Sequence, residues 1–272
     1  MKFETVSFVC THVGKIRQNN EDNFFLNGLS YDSTSGKKGF VRRRESAAPV
    51  QLYAVFDGMG GQEAGEEASA LGASLMNQLL LDLNEGEDVR TAVDRYTALV
   101  NDAVVSLARQ AGSTMVLLCI KEGVASVAWL GDSRAYLLRN GALYRLTEDH
   151  TQERRMAKLG FQSSDPHARN LLTRHLGMDA PGLVVTPAYA SDLALRKHDV
   201  FLLCSDGPTN HVDEEKIAEI LDSAQFPERE LANAALGAGG ADNVTALVVD
   251  VTKLARPVSS LFAPKKNASV PL

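Results

Sequence analysis

A chain of 272 residues with 44% hydrophobic composition is long enough for one large globular domain with an ample core. Its formal net charge of −6 offers no general attraction to nucleic acid or to an anionic membrane surface. The N-terminal MKFETVSFVCTHVG lacks a secretory apolar region, and no run approaches the about 18 apolar residues of a membrane helix, so a soluble, cytoplasmic protein is expected.

In chain order, ETVSFVC (4–10) reads as a strand, and GKIRQNNEDNFFL sets Glu21 and Asp22 side by side ahead of another apolar stretch. Residues 31–50 read as an irregular insert: a solvated loop between two neighbouring strands, with docking of an acidic partner through Lys37, Lys38, Arg42, Arg43 and Arg44 as the alternative. The strand LYAVF (52–56) is followed by two helical patterns. One, 64–83, carries Ala64, Ala68, Leu71, Leu75 and Leu79 on one face; the other, 88–110, carries Val89, Val93, Tyr96, Val100, Val104 and Leu107. TMVLLCI, ASVAWL, RAYLLR and LYRLT then form a strand meander, with Asn140 and Gly141 as a hairpin signal between the last two. A helix at 151–159, with Thr151 as N-cap and Gly160 past its end, precedes the strand DVFLLCS (199–205). Helices at 213–222, capped by Asp213, and at 228–236, between Pro227 and Gly237, precede the strand VTALVVDV (244–251). From about residue 253 the composition turns irregular. Strands, a helix pair and then a meander is an α+β order, not βαβ alternation.

Acids recur at strand ends. Asp57 and Gly58 after LYAVF would ordinarily read as a hairpin turn, but no strand follows. A phosphate-cradling glycine loop is the next alternative; it fits poorly, because the spacing is not GxGxxG and Asp57, Glu63, Glu66 and Glu67 would repel an anion. Asp132 follows VASVAWLG, Asp206 follows VFLLCS, and Asp242 with Asn243 precedes VTALVVDV. Singly, each acid also reads as a turn or cap residue. If the sheets bring these ends together, crowded carboxylates call for a divalent counter-charge, and carboxylate, carbonyl and water suit hard ions such as Mg2+ or Mn2+. Cys10, Cys119 and Cys204 each lie within an apolar run and read as core thiols; LLCSDG lacks the basic loop that would activate Cys204 as a nucleophile.

The motifs VGKIRQNNED, VFDGMGG, GST, GDSRAY, LTEDHT, NLLTRHLG, FLLCSDG and ADNVTALVV stand in this order between about residues 8 and 251. Together they resemble the metal-dependent protein phosphatases of the protein phosphatase 2C family, bacterial serine/threonine phosphatases in particular. The resemblance implies a four-layer α/β/β/α sandwich, two antiparallel sheets flanked by antiparallel helix pairs. It implies a catalytic domain over 1–252, with the insert at 31–50 and a flap at 147–176, and a flexible tail over 253–272. It also implies two Mn2+ or Mg2+ ions bridged by water, which attacks phosphoserine or phosphothreonine in proteins. Asp57 would be the shared ligand, Gly58 would offer its carbonyl, and Asp206 and Asp242 would hold the first ion. Glu21 would hold waters of the second, with Asp22 and Asn243 in support; Asp132 and Asp206 would hold a third, and Arg17 would grip the substrate phosphate.

The pattern departs from that family at a few places. Met59 stands where animal members carry a histidine, leaving the general acid open between a bound water and His150 or His167, which read first as structural histidines. Pro208 and Asn210 follow SDG where relatives commonly have Leu and Asp. The expected activity opposes a Ser/Thr kinase, in a monomer with no fused sensor or anchor. The alternatives are a catalytically weak regulatory binding module, which would have lost acids retained here, and a two-metal nuclease, against which the acidic balance counts.

Overall fold

The computed structural model describes residues 2–31, 40–60, 64–107, 110–162, 165, 168 and 170–255. The first sheet is built from β1 (Lys2–His12), β3 (Phe40–Ser46), β8 (Arg134–Arg139), β9 (Ala142–Arg145), β11 (Val200–Cys204) and β12 (Val244–Ala255), in the order β3-β1-β12-β11-β8-β9. The second runs β10-β7-β6-β4-β2, from β2 (Asp22–Leu26), β4 (Val50–Met59), β6 (Met115–Lys121), β7 (Val124–Leu130) and β10 (Ala188–Ala194), with the short β5 (Gly112–Ser113) beside β4. Every strand pair is antiparallel.

Period-2 alternation decides how the layers stack. Tyr53 and Val55 of β4 and Val116, Leu118 and Ile120 of β6 enter the layer between the sheets, where they meet Phe201, Leu203, Leu247 and Val249. Their alternates Leu52, Ala54, Phe56, Met115, Leu117 and Cys119 face the other way, onto α1 (Ala64–Asn84) and α2 (Val89–Val105). On the opposite outer face, Leu202, Cys204, Ala246 and Val248 meet α5 (Glu214–Ser223) and α6 (Pro227–Gly237). Three apolar layers therefore separate four layers of structure, the α/β/β/α sandwich that was expected.

Local signals hold where they are strong. Asp88, Thr151 and Asp213 cap α2, α3 (Gln152–Lys158) and α5 by accepting from the amides of Thr91, Arg154 and Lys216. Asn140 and Gly141 both take positive φ in the β8–β9 turn. Five differences from the expected elements stand out. Phe40–Ser46, expected within an irregular loop, is a strand on β1 that carries Arg42, Arg43 and Arg44 along a sheet edge, where exposed charge is tolerated. The connection between the paired strands β2 and β4 thus detours through the other sheet. β10 and the four-residue α4 (Asp206–Thr209) were not foreseen. α2 ends at Val105, not at 110, and β12 continues to Ala255, three residues into the stretch expected to be a tail.

Candidate metal centre

The alternation that builds the middle layer continues past its apolar end. Asp57 stands two residues beyond Val55, Asp22 two before Phe24 and Thr245 two before Leu247, so all three belong to the inter-sheet face where it opens to water. The register sets Asp22 opposite Asp57. Asp206 opens α4 directly after β11, and Asp242 ends the turn into β12, the neighbour of β11. Asp132 follows β7. A cleft of about 260 Å³ results, lined by Arg17, Glu21, Asp57, Gly58, Asp132, Asp206 and Asp242. Met59, Gly60, Thr114, Asn170 and Leu172 complete it.

Hydrogen bonds hold this frame. The Asn243 side chain accepts from the Glu21 amide at 2.8 Å and donates to the carbonyls of Val13 and Asn19, both at 2.9 Å, tying the Arg17 loop to the start of β12. Arg17 donates to Asp242 Oδ2 at 2.9 Å across the cleft mouth. The Gly58 amide donates to the Glu21 carbonyl at 3.1 Å. Thr114 accepts from the Asp57 amide at 3.0 Å and its own amide donates to the Asp57 carbonyl at 2.8 Å, which fixes the acid from the β5 side. Asp22 lies beneath the cleft, buried, with Oδ2 receiving Ser205 at 2.8 Å and Thr245 at 2.6 Å.

The electrostatics are those of a cation site. Burial, and then Asp22, Asp206, Asp132 and Asp242, push Asp57 well above the ordinary carboxylate range. Burial and Asp206 carry Asp132 up to about 7. Asp206 is raised by burial and Asp242; Glu21 is raised by burial, with Arg17 opposing. Asp22 is raised by burial against its two hydroxyl donors, and its Oδ1 has no hydrogen-bond partner. Among the described residues no three acids, imidazoles or thiols close on one point as a finished cage. Mg2+ and Mn2+ do not require one, since they keep waters and accept backbone carbonyls. An all-oxygen donor set, mutual repulsion and an orphaned carboxylate oxygen fit hard divalent ions.

Other singled-out residues fall outside the cleft. His150 accepts from the Gly131 amide through Nδ1 at 3.2 Å and stacks on Trp129; burial first, then Arg174 and Lys158, push its imidazole down to about 4. It is held neutral in a structural setting, not poised as a proton donor. Cys204 is fully buried with its thiol pushed up to about 12 by burial, which removes it as a nucleophile. His167, Lys37 and Lys38 lie outside the described residues. Asn210 donates to Asp206 Oδ2 at 2.9 Å, so the departure from the family pattern touches a cleft acid directly. Thr114, Asn170 and Leu172 were not singled out as site residues; they lay within quoted motifs, GST and NLLTRHLG, but their chemistry gave no separate signal.

Residues 7–235 match the family model described as Protein phosphatase 2C. The serine/threonine phosphatase stp of Listeria monocytogenes is 32% identical over 267 residues, covering 92% of this chain and 98% of that protein. A crystal structure of the Mycobacterium tuberculosis serine/threonine phosphatase PstP/Ppp superposes with a TM-score of 0.73 at 30% identity, covering 92% of this chain and 100% of that one. The catalytic domain of a PstP solved with two manganese ions gives a TM-score of 0.71 at 28% identity, with the same coverage. With its sandwich, its acidic cleft and a family match over most of its length, the chain belongs to the protein phosphatase 2C family.

Proposed function

We propose that this chain hydrolyses phosphoserine and phosphothreonine in proteins with two Mn2+ or Mg2+ ions, in the cytoplasm and in opposition to a Ser/Thr kinase. The observation that carries the reading is the convergence of Glu21, Asp57, Asp132, Asp206 and Asp242 with one arginine on a single cleft at the open end of the sandwich. In this reading Asp57 would be the shared ligand and Gly58 would lend its carbonyl, while Asp206 and Asp242 would hold the first ion. Glu21 would hold the second through water, and Asp132 with Asp206 would hold a third. When bound, such ions supply neutralising charge to the acids and the phosphoryl oxygens and lower the pKa of a water.

The remaining work belongs to the chain's own residues. Arg17, at the cleft mouth, offers a planar donor fork suited to phosphate oxygens, and Asp242 orients it. Asn243 and Thr114 hold the backbone of Glu21 and Asp57 in place. Asp22 buries its charge behind them. The sequence retains every acid that a silent binding module would be expected to lose, which favours the enzyme.

Hydrolysis of a phosphothreonine peptide, followed by phosphate release with and without Mn2+, tests this. The expected result is activity that a chelator abolishes and that Asp57→Asn lowers at least about 100-fold. Turnover unaffected by chelation, or by that substitution, would end the reading.

A further inference from the structure

A second cavity, of about 520 Å³, opens beside the metal cleft. Trp129, His150, Arg154, Arg155, Lys158 and Arg174 line it. The two spaces share one short segment of the flap: Asn170 and Leu172 line the metal cleft, and the adjoining Thr173 and Arg174 line the second cavity. They are also joined through the amide of His150, which donates at 2.9 Å to Gly131, the residue before Asp132. A substrate segment leaving the cleft along this wall meets the second cavity next.

The charge there is positive in excess. Two acids line the cavity, and each is already matched by two cations. Glu148 receives Arg154 and Lys158, both at 2.5 Å. Asp149 receives Arg134 at 2.8 Å and also Arg145. Among the described residues no acid is paired with Arg155 or Arg174, and both are exposed. The depressed imidazole of His150 registers the same field, since Arg174 and Lys158 follow burial among its causes.

Resting on the phosphatase reading above, we propose that this cavity is a subsite for a second anionic group on the substrate chain, foremost a second phosphate. Guanidinium groups without an acid partner are the donors best matched to a dianionic, multi-acceptor group. The preferred substrate is then a multiply phosphorylated segment.

The test compares peptides bearing one phosphothreonine with peptides carrying an additional phosphoserine at increasing distances on either side. A third set carries glutamate in place of that phosphoserine. For at least one spacing the wild-type protein is expected to show about a tenfold higher kcat/KM, gained through KM and shrinking as salt is raised. Arg155→Gln combined with Arg174→Gln is expected to bring the ratio of the two peptides close to one while p-nitrophenyl phosphate is still hydrolysed. An equal gain from glutamate assigns the subsite to negative charge in general, and a smaller one assigns it to phosphate. A wild-type ratio near one at every spacing, or a gain that neither salt nor the double substitution diminishes, overturns the proposal. Absence of Mn2+-dependent p-nitrophenyl phosphate hydrolysis by the wild-type protein would sink the phosphatase reading instead.

Discussion

At Gly58 the backbone of β4 passes so close to α1 that a Cβ would lie 2.1 Å from the Gly65 carbonyl oxygen and 2.6 Å from that of Glu21. Neither obstacle is a flexible side chain. Gly58→Ala is therefore expected to cost about 1–3 kcal/mol of stability by denaturant unfolding and to lower activity, because the strain falls between two cleft residues. His150 allows a different measurement. Its folded pKa of about 4 lies below the ordinary 6.5 because burial disfavours the charged ring. The stability it contributes is whole above 6.5 and is lost as pH falls toward 4, since the unfolded chain takes up the proton first. Between pH 7 and pH 5 the wild-type protein should lose about 1 kcal/mol more than His150→Gln, a figure already reduced for the ring's partial exposure. Equal losses in urea melts at the two pH values would show that the ring is protonated in the fold.

Among the elements, β8 and the turn into β11 are pinned by an ion pair. Asp199, 1% exposed, receives Arg139 at 2.7 Å through both carboxylate oxygens and also accepts from the Arg196 amide at 2.6 Å. Removing one partner strands a buried charge, so Asp199→Ala should destabilise by about 3–5 kcal/mol, read from the thermal midpoint and a urea melt. An effect under about 1 kcal/mol would mean that water already solvates the pair. Elements that the pattern missed share a cause. FVRRRES shows little apolar alternation because β3 is an edge whose arginines lie along rings, Arg42 3.9 Å from the Phe40 centroid. AYASDLA is interrupted by a bulge between Ala190 and Leu193, which breaks period 2. α4 is one turn long, and its cap residue Ser205 spends its hydroxyl on Asp22 instead of on the helix. By contrast, α3 and α5 started where the caps Thr151 and Asp213 implied.

For the whole molecule, the crowding of the cleft couples metal to stability. Ions that bind only the folded chain should raise its thermal midpoint, by the equivalent of about 2.7 kcal/mol at one hundred times the dissociation constant. Asp132→Asn removes one repelling carboxylate, so it should raise the midpoint of chelator-treated protein while shrinking the shift that Mn2+ produces. A Mn2+ titration by differential scanning calorimetry separates the two effects; a substitution that lowered both midpoints would argue against stored repulsion. Much of this was legible in residue order. The motif series, the period-2 runs, the Asn140–Gly141 turn and the acids at strand ends are local properties, carried by short-range sterics and by side-chain chemistry. What only the tertiary structure decided is which distant groups meet. Asp22 pairs in register with Asp57 and reaches Ser205 and Thr245 across the sheets, Thr114 locks Asp57 from between β5 and β6, and Arg174 and Lys158 line one cavity. Those contacts follow from strand register and layer packing, which are set by burial summed over the entire sandwich and have no signature in any single stretch of sequence.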